Sequence, residues 1–216
     1  MTISEIDSLI YNLTTKKVGT LFVISGPSGV GKGTIVKELI QNDPQLQLSI
    51  SMTTRLPRKG EKDKLNYFFV SKELFEKKIL KKELLEYAQY NQQFYGTPSE
   101  FVTDKVELGR DVILEIEVQG AKQIRENWKG NAVHIFILPP SHKDLKLRLE
   151  HRSTETQAAI ETRLARSKEE IKQITEYDYF VINDHLDKAV KDVAAIIQAE
   201  SHRINRNHFK EERLFI

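Results

Sequence analysis

The chain has 216 residues, enough for one sizeable core with inserted lobes, and 30% of them are charged. Lys plus Arg (33) nearly balances Asp plus Glu (31), leaving a formal charge of +2. That balance gives no general case for binding nucleic acid or an anionic membrane, so any anion site has to be local. The absence of cysteine excludes disulfides and thiolate zinc sites, and the six histidines show no metal-ligand spacing. Glu5 and Asp7 interrupt the opening residues and no apolar run is long enough to span a bilayer, so the expected location is the cytoplasm.

In chain order, Ile6, Leu9, Ile10 and Leu13 recur at helical spacing behind Ser4, which predicts an amphipathic N-terminal extension over 1–18 packed on the core. The run TLFVIS at 20–25 is short, apolar and flanked by glycines, as a buried parallel strand should be, and a helix follows over about 31–42. Strand-like apolar runs recur at 47–51, 112–118, 132–138 and 179–182, with helical patterns between most of them. This alternation predicts an α/β fold with a parallel sheet.

Two regions break it. Residues 51–99 are rich in Lys, Arg, Tyr and short strand signals such as NYFFV, and read as an inserted lobe. Residues 141–167 are helical and Arg-rich with an interruption at Ser153, where Thr154 and Gln157 offer a capping box, and read as a mobile flap. The core is then expected over 19–50, 100–140 and 168–204, with a polar tail at 205–216.

Directly after the first strand comes GPSGVGKGT, spanning Gly26, Pro27, Ser28, Gly29, Val30, Gly31, Lys32, Gly33 and Thr34, with the spacing G-x-x-x-x-G-K. Glycines let successive N–H groups turn inward around phosphate oxygens, the next helix adds a partial positive charge, and Lys32 adds a full one. Such a loop binds a nucleoside triphosphate. Gly33 stands where Ser or Thr usually offers a hydroxyl to Mg²⁺, and Thr34 follows it.

The inserted lobe opens with SISMTTRLPRKGEKDKLNY, placing Arg55 and Arg58 around Pro57 with Ser51 before and Tyr67 after. Two guanidinium forks with hydroxyl donors suit a monophosphate dianion, while a solvated basic loop is the bland alternative.

Taken together, GPSGVGKGT, SISMTTRLPRKGE, NYFFV, LLEYAQYNQQFYGTP, VILEIEVQGA and the HRSTET segment occur in the order expected of guanylate kinases, and the chain resembles that family over about 20–200. The resemblance implies a P-loop three-layer fold with an ATP-binding core, a GMP-binding lobe and a helical lid, and transfer of the γ-phosphoryl group of ATP to GMP, and to dGMP, in purine nucleotide metabolism. It implies Mg²⁺ carried with ATP, held largely through water and nucleotide oxygens. Residue by residue, it implies contacts to the GMP phosphate at Ser51, Arg55, Arg58, Tyr67 and Tyr95, and to guanine at Glu86, Thr97 and Glu117. Arg148, Arg152 and Arg163 would close over the transferring group, and Asn183 would lie beside adenine.

Guanine chemistry fits these types: N1–H and the 2-amino group are donors that seek a carboxylate, and O6 is an acceptor that suits a hydroxyl. Thr97 stands where Ser is frequent, Glu117 where Asp is usual, Ser153 where glycine is common and His185 where an acid is usual. Glu115, two residues before Glu117, is expected to point the same way along a strand. Two rivals remain: a kinase for another monophosphate, and a module of the same fold that binds phosphorylated partners without catalysis. Small-molecule substrates are expected as partners, with neither nucleic acid nor membrane; a homo-oligomer is compatible with the sequence.

Overall fold

A computed structural model of the chain describes residues 2–7, 11, 18–58, 60–90, 92–150 and 157–203. In chain order the elements are β1 (Leu21–Ser25), α1 (Lys32–Asn42), β2 (Gln47–Leu48), β3 (Met52–Thr53), β4 (Phe68–Phe69), α2 (Lys72–Leu80), β5 (Leu84–Tyr90), β6 (Gln93–Pro98), α3 (Ser99–Glu107) and β7 (Val112–Glu115). They continue with α4 (Val118–Asn127), β8 (Ala132–Leu138), α5 (His142–Glu150), α6 (Gln157–Ile171), a 3₁₀ turn (Lys172–Glu176), β9 (Tyr179–Ile182) and α7 (Leu186–Ser201).

Strand β1 is buried along its whole length. Alternation sends Leu21 and Val23 to one face and Phe22 and Ile24 to the other, where each pair joins a separate apolar cluster. A strand with no wet face belongs in the middle of a parallel sheet. Here it does: the order is β2-β7-β1-β8-β9, with every pairing parallel. Phe22 and Ile24 pack with Ile35 and Leu39 of α1 and Val193 and Ile197 of α7, whereas Leu21 and Val23 pack with Val102 and Val106 of α3 and Ile124 of α4. The result is three layers.

The chain runs to one side of β1 for β2 and β7 and to the other for β8 and β9, so a topological switch point lies at the carboxyl end of β1. Crevices that take ligands form at such points, and the segment leaving β1 there is the glycine loop.

A second sheet, ordered β4-β3-β6-β5, carries the inserted segment. Its β5–β6 hairpin lies against α4, where the Gln123 side chain donates to the Tyr87 carbonyl at 2.7 Å and accepts from the Tyr87 amide at 3.1 Å. Helices α5 and α6 have their own apolar cluster of Leu145, Leu149, Ile160 and Leu164.

Three expectations change. The strand expected over 47–51 ends at Leu48, and the chain starts a new strand at Met52 in the second sheet. The strand expected over 112–118 ends at Glu115, because Val118 already opens α4 with Glu117 as its N-cap, so Glu115 and Glu117 do not share a strand face. Residues 3–7 are helical but exposed, so in the described part the N-terminal stripe is not buried; Leu9, Ile10, Leu13, Ser153, Thr154 and the 205–216 tail lie outside the described residues.

Phe22→Ala, which opens a hole in the main core, should cost about 3–5 kcal/mol in chemical denaturation. Leu164→Ala lies in the smaller cluster of α5 and α6. It should raise amide exchange in those two helices more than in the parallel sheet.

Candidate active site

The loop between β1 and α1 is shaped by glycine. Gly31 caps α1 with φ of 99°, in the left-handed region that a side chain resists, and a Cβ there would meet the Asn183 amide nitrogen at 2.5 Å. Glycine therefore permits both the turn and the approach of Asn183, whose Nδ2 donates to the Val30 carbonyl at 2.8 Å. The first N–H groups of α1 have no partner within the helix and point to where an anion belongs. Lys32 is 8% exposed and its Nζ donates to the carbonyls of Gly26 and Pro27, at 2.7 and 3.3 Å, so it is folded across the loop.

A cavity of about 520 Å³ runs from this loop to the second sheet. Its loop end is lined by Ser28, Gly29, Gly31, Lys32, Gly33 and Thr34, and its far end by Ser51, Arg58, Tyr67, Glu86 and Tyr95. Glu115, Glu117 and Arg166 line the wall between them.

Glu86 is 5% exposed, and among the described residues no cation lies beside it. Burial pushes its carboxyl up to about 7, against the opposing pull of hydrogen bonds from Thr97. The Thr97 hydroxyl donates to Oε1 at 2.7 Å across the β5–β6 pair, where the two residues are in register. On the other side a Cβ at position 120 would lie 2.4 Å from Oε2, so the space for this carboxylate exists because residue 120 of α4 is glycine. Thr97 is wholly buried and its hydroxyl is committed to Glu86.

The two arginines of the lobe are placed differently. Arg58 is exposed and lines the cavity, and its backbone N–H donates to Glu61 at 2.7 Å. Arg55 is clamped by Glu61, donating from both terminal nitrogens at 2.9 Å, and its guanidinium lies over Tyr67 and Phe69 at 5.3 and 5.7 Å from the ring centroids. The pair holds the Glu61 carboxyl below its usual range. Arg55 interacts with Tyr95 but is not among the residues that line this cavity; it borders a neighbouring hollow with Leu56, Pro57 and Phe69. Burial pushes the Tyr67 hydroxyl up, so it remains a donor at neutral pH.

Of the lid cations, Arg148 donates to the Val30 carbonyl at 3.2 Å and the Asn183 carbonyl at 2.7 Å. It lines a shallower hollow of about 350 Å³ with Gly29, Gly31, Thr34 and Asn183. Arg163 donates to the Ser28 hydroxyl. Arg152 lies outside the described residues.

Two participants were not anticipated from sequence. Arg166, which reads as one more helix-surface arginine, lies in the cavity wall, 2.8 Å from Glu170 and 3.7 Å from Glu117. The signal was its place three residues after Arg163, on the same helix face. Gly120 is the other, and nothing in its spacing singles it out.

This geometry has room for a nucleoside triphosphate at one end of a cavity and a second phosphorylated ligand at the other. The family model for guanylate kinase matches residues 18–200. A guanylate kinase of Clostridioides difficile is 50% identical over 202 residues, spanning 91% of this chain and 98% of its own. One of Halalkalibacterium halodurans is 48% identical, spanning 92% and 94%. The crystal structure of guanylate kinase from Anaplasma phagocytophilum superposes with a TM-score of 0.76 at 31% identity, over 92% of this chain and 95% of that one. The chain belongs to the guanylate kinase family, kinases that phosphorylate GMP with ATP as donor.

Proposed function

We propose that the cavity is the transfer site itself, with the ATP phosphates on the loop of Gly26–Thr34 and GMP, or dGMP, on the inserted lobe. The observation that carries this reading is the continuity of one cavity from Lys32 to Glu86. Donor and acceptor can then meet without a diffusible intermediate. Arg58, Ser51, Tyr67 and Tyr95 take the acceptor phosphate, with Arg55 bracing the two tyrosines from behind. Glu86, held by Thr97, accepts from guanine N1–H and the 2-amino group, and Glu117 faces the same base. Asn183 and Arg148 flank the hollow that takes the nucleoside end of ATP.

In the reaction an oxygen of the GMP phosphate bonds to the γ-phosphorus as the bond to the β–γ bridging oxygen breaks, and ADP leaves. The nucleophile is already ionised, so no general base is required. The protein aligns the two phosphates and neutralises charge on the moving group. Lys32, released from the Gly26 and Pro27 carbonyls, supplies one cation, and Arg148, Arg152 and Arg163 supply others.

An ATP-using kinase of this family works with a divalent metal, and we assign Mg²⁺. A Cβ at position 33 would come within 3.2 and 3.3 Å of the Glu115 carboxylate oxygens, so that carboxylate lies against the first turn of α1 beside Thr34. Among the described residues no three His, Asp or Glu side chains form a metal-binding group. One or two protein oxygens, with the rest of the shell from water and nucleotide, is the donor set that suits Mg²⁺. When bound, the ion neutralises charge on the nucleotide phosphates. No described helix is long and apolar enough to cross a membrane.

The first test is ADP release with GMP, dGMP, AMP, dTMP and UMP as acceptors, in which GMP and dGMP should be used and the others rejected by orders of magnitude. Lys32→Met should lower kcat by about 10²–10³ while leaving the circular dichroism spectrum and melting curve near those of the parent. Near-normal turnover in that variant would sink the donor-site assignment.

Glu86 links recognition to stability. Its ordinary carboxyl value is 4.5 and the folded value about 7. Between the two, the folded chain keeps a proton that the unfolded chain has lost, so stability falls as pH rises through that window and the full penalty stands above it. Glu86→Gln should therefore stabilise the ligand-free protein at pH 8 by on the order of 1–3 kcal/mol, an advantage that disappears below about pH 4.5. The same substitution should narrow the preference for GMP over IMP, which lacks the 2-amino group. GMP recognition needs the charged carboxylate, so KM for GMP should rise as pH drops below about 7. The GMP phosphate also titrates, near pH ~6; Glu86→Gln removes the carboxyl contribution and leaves the phosphate contribution, which separates the two.

A further inference from the structure

Helix α6 presents Arg163 and Arg166 three residues apart on one face. Arg163 reaches the donor loop through the Ser28 hydroxyl. Arg166 lines the cavity and sits between two carboxylates, with Nε 2.8 Å from Oε1 of Glu170 and Nη2 3.7 Å from Oε2 of Glu117. Glu117 occupies the N-cap of α4, yet its side chain does not turn back to cap that helix, and both it and Arg166 line the cavity. Glu170 is buried, and its carboxyl is raised first by that burial and then by the charge of Glu117, with Arg166 and Lys32 opposing. Without the guanidinium, two like charges would face each other beside the acceptor site. Glutamate also has one more rotatable bond than the aspartate usual at position 117, so its carboxylate needs a fixed partner if it is to present one geometry.

We infer that Arg166 is a specificity-determining positioning residue, which fixes the Glu117 carboxylate for guanine and ties the acceptor site to the helix that grips the phosphate loop. The inference rests on the reading of Glu86 and Glu117 as the carboxylates that face the base. It assigns α6 two prongs, Arg163 toward the donor and Arg166 toward the acceptor.

The test is steady-state kinetics with GMP and with IMP on Arg166→Ala, Arg166→Lys, Glu117→Gln, Glu86→Gln and the double variant Arg166→Ala/Glu117→Gln, each checked for folding by circular dichroism. Arg166→Ala and Glu117→Gln should each reduce the GMP-over-IMP ratio of kcat/KM by about two- to fivefold, the range for a half-exposed ion pair. The loss should fall on KM for GMP with KM for ATP unchanged, Arg166→Lys should keep most of the preference, and the double variant should be no worse than the more damaged single. Equal losses for GMP and IMP, or effects that add in the double variant, would overturn the inference and leave Arg166 as a brace to Glu170. Should Arg166→Ala fail to fold, the cycle is read with Arg166→Gln in its place. Glu86→Gln separates the two levels. If it leaves the GMP-over-IMP ratio unchanged, the placement of guanine falls and the inference with it; if it narrows the ratio while Arg166 and Glu117 show no coupling, the inference alone falls.

Discussion

Two polyanions that repel each other have to be brought within bonding distance, and most of the site answers to that constraint. A chain of net charge +2 has no general field to do it with, so cations are gathered locally. Gathered cations repel one another as well. The structure meets this by giving four of the described arginines a hydrogen-bonded resting place: Arg55 on Glu61, Arg148 on the carbonyls of Val30 and Asn183, Arg163 on Ser28, and Arg166 on Glu170. Lys32 rests on the carbonyls of its own loop. A side chain already held near its working position loses less freedom when the ligand arrives, and so more of its Coulomb attraction remains for the phosphates.

Glu86 obeys the opposite logic. It is a buried carboxylate with no cation beside it among the described residues, close against Gly120 where a side chain would crowd it, and its hydroxyl partner opposes only part of the desolvation. An arginine there would occupy the acceptor oxygens that, on the proposed placement of guanine, the N–H groups of the base need. On the same proposed placement, the cost of burying this carboxylate becomes part of the selectivity: guanine would supply the donors that the fold withholds, and adenine, with no 2-amino group and a lone pair at N1, could not.

Periodicity and one motif made the core legible before any coordinates. The apolar runs at 20–25, 132–138 and 179–182 are strands of one parallel sheet, and GPSGVGKGT lies on the loop after β1 where its spacing put it. What was not legible depended on contacts between distant segments. Strand β2 is two residues long, and a run of apolar and hydroxyl residues at 47–53 gives no local sign that the chain changes sheets within it. A lone Glu at position 86 reads as surface until β5 pairs with β6 and α4 closes over it. Arg55 and Arg58 look equivalent in sequence, and only the position of Glu61 divides them into a brace and a cavity-wall residue. For Arg166 the sequence offers its spacing from Arg163 and from Glu170, but not its place in the cavity wall, because Glu117 comes near it only through the fold, at the N-cap of α4.

The arrangement of apolar clusters says which of these pieces can move. Helices α5 and α6 bury Leu145, Leu149, Ile160 and Leu164 among themselves, apart from the two clusters that sandwich the parallel sheet. A body with its own core can shift against its neighbour without opening a hole in either. Among the described residues, this body meets the phosphate loop through polar contacts from Arg148 and Arg163 and through Leu145 and Leu149 near Gly29. Polar contacts of this kind exchange readily for phosphate oxygens. On the proposed lid role, the same arginines that rest on the loop would be the ones with most to gain from a bound triphosphate, and closing and charge neutralisation would then be one event rather than two.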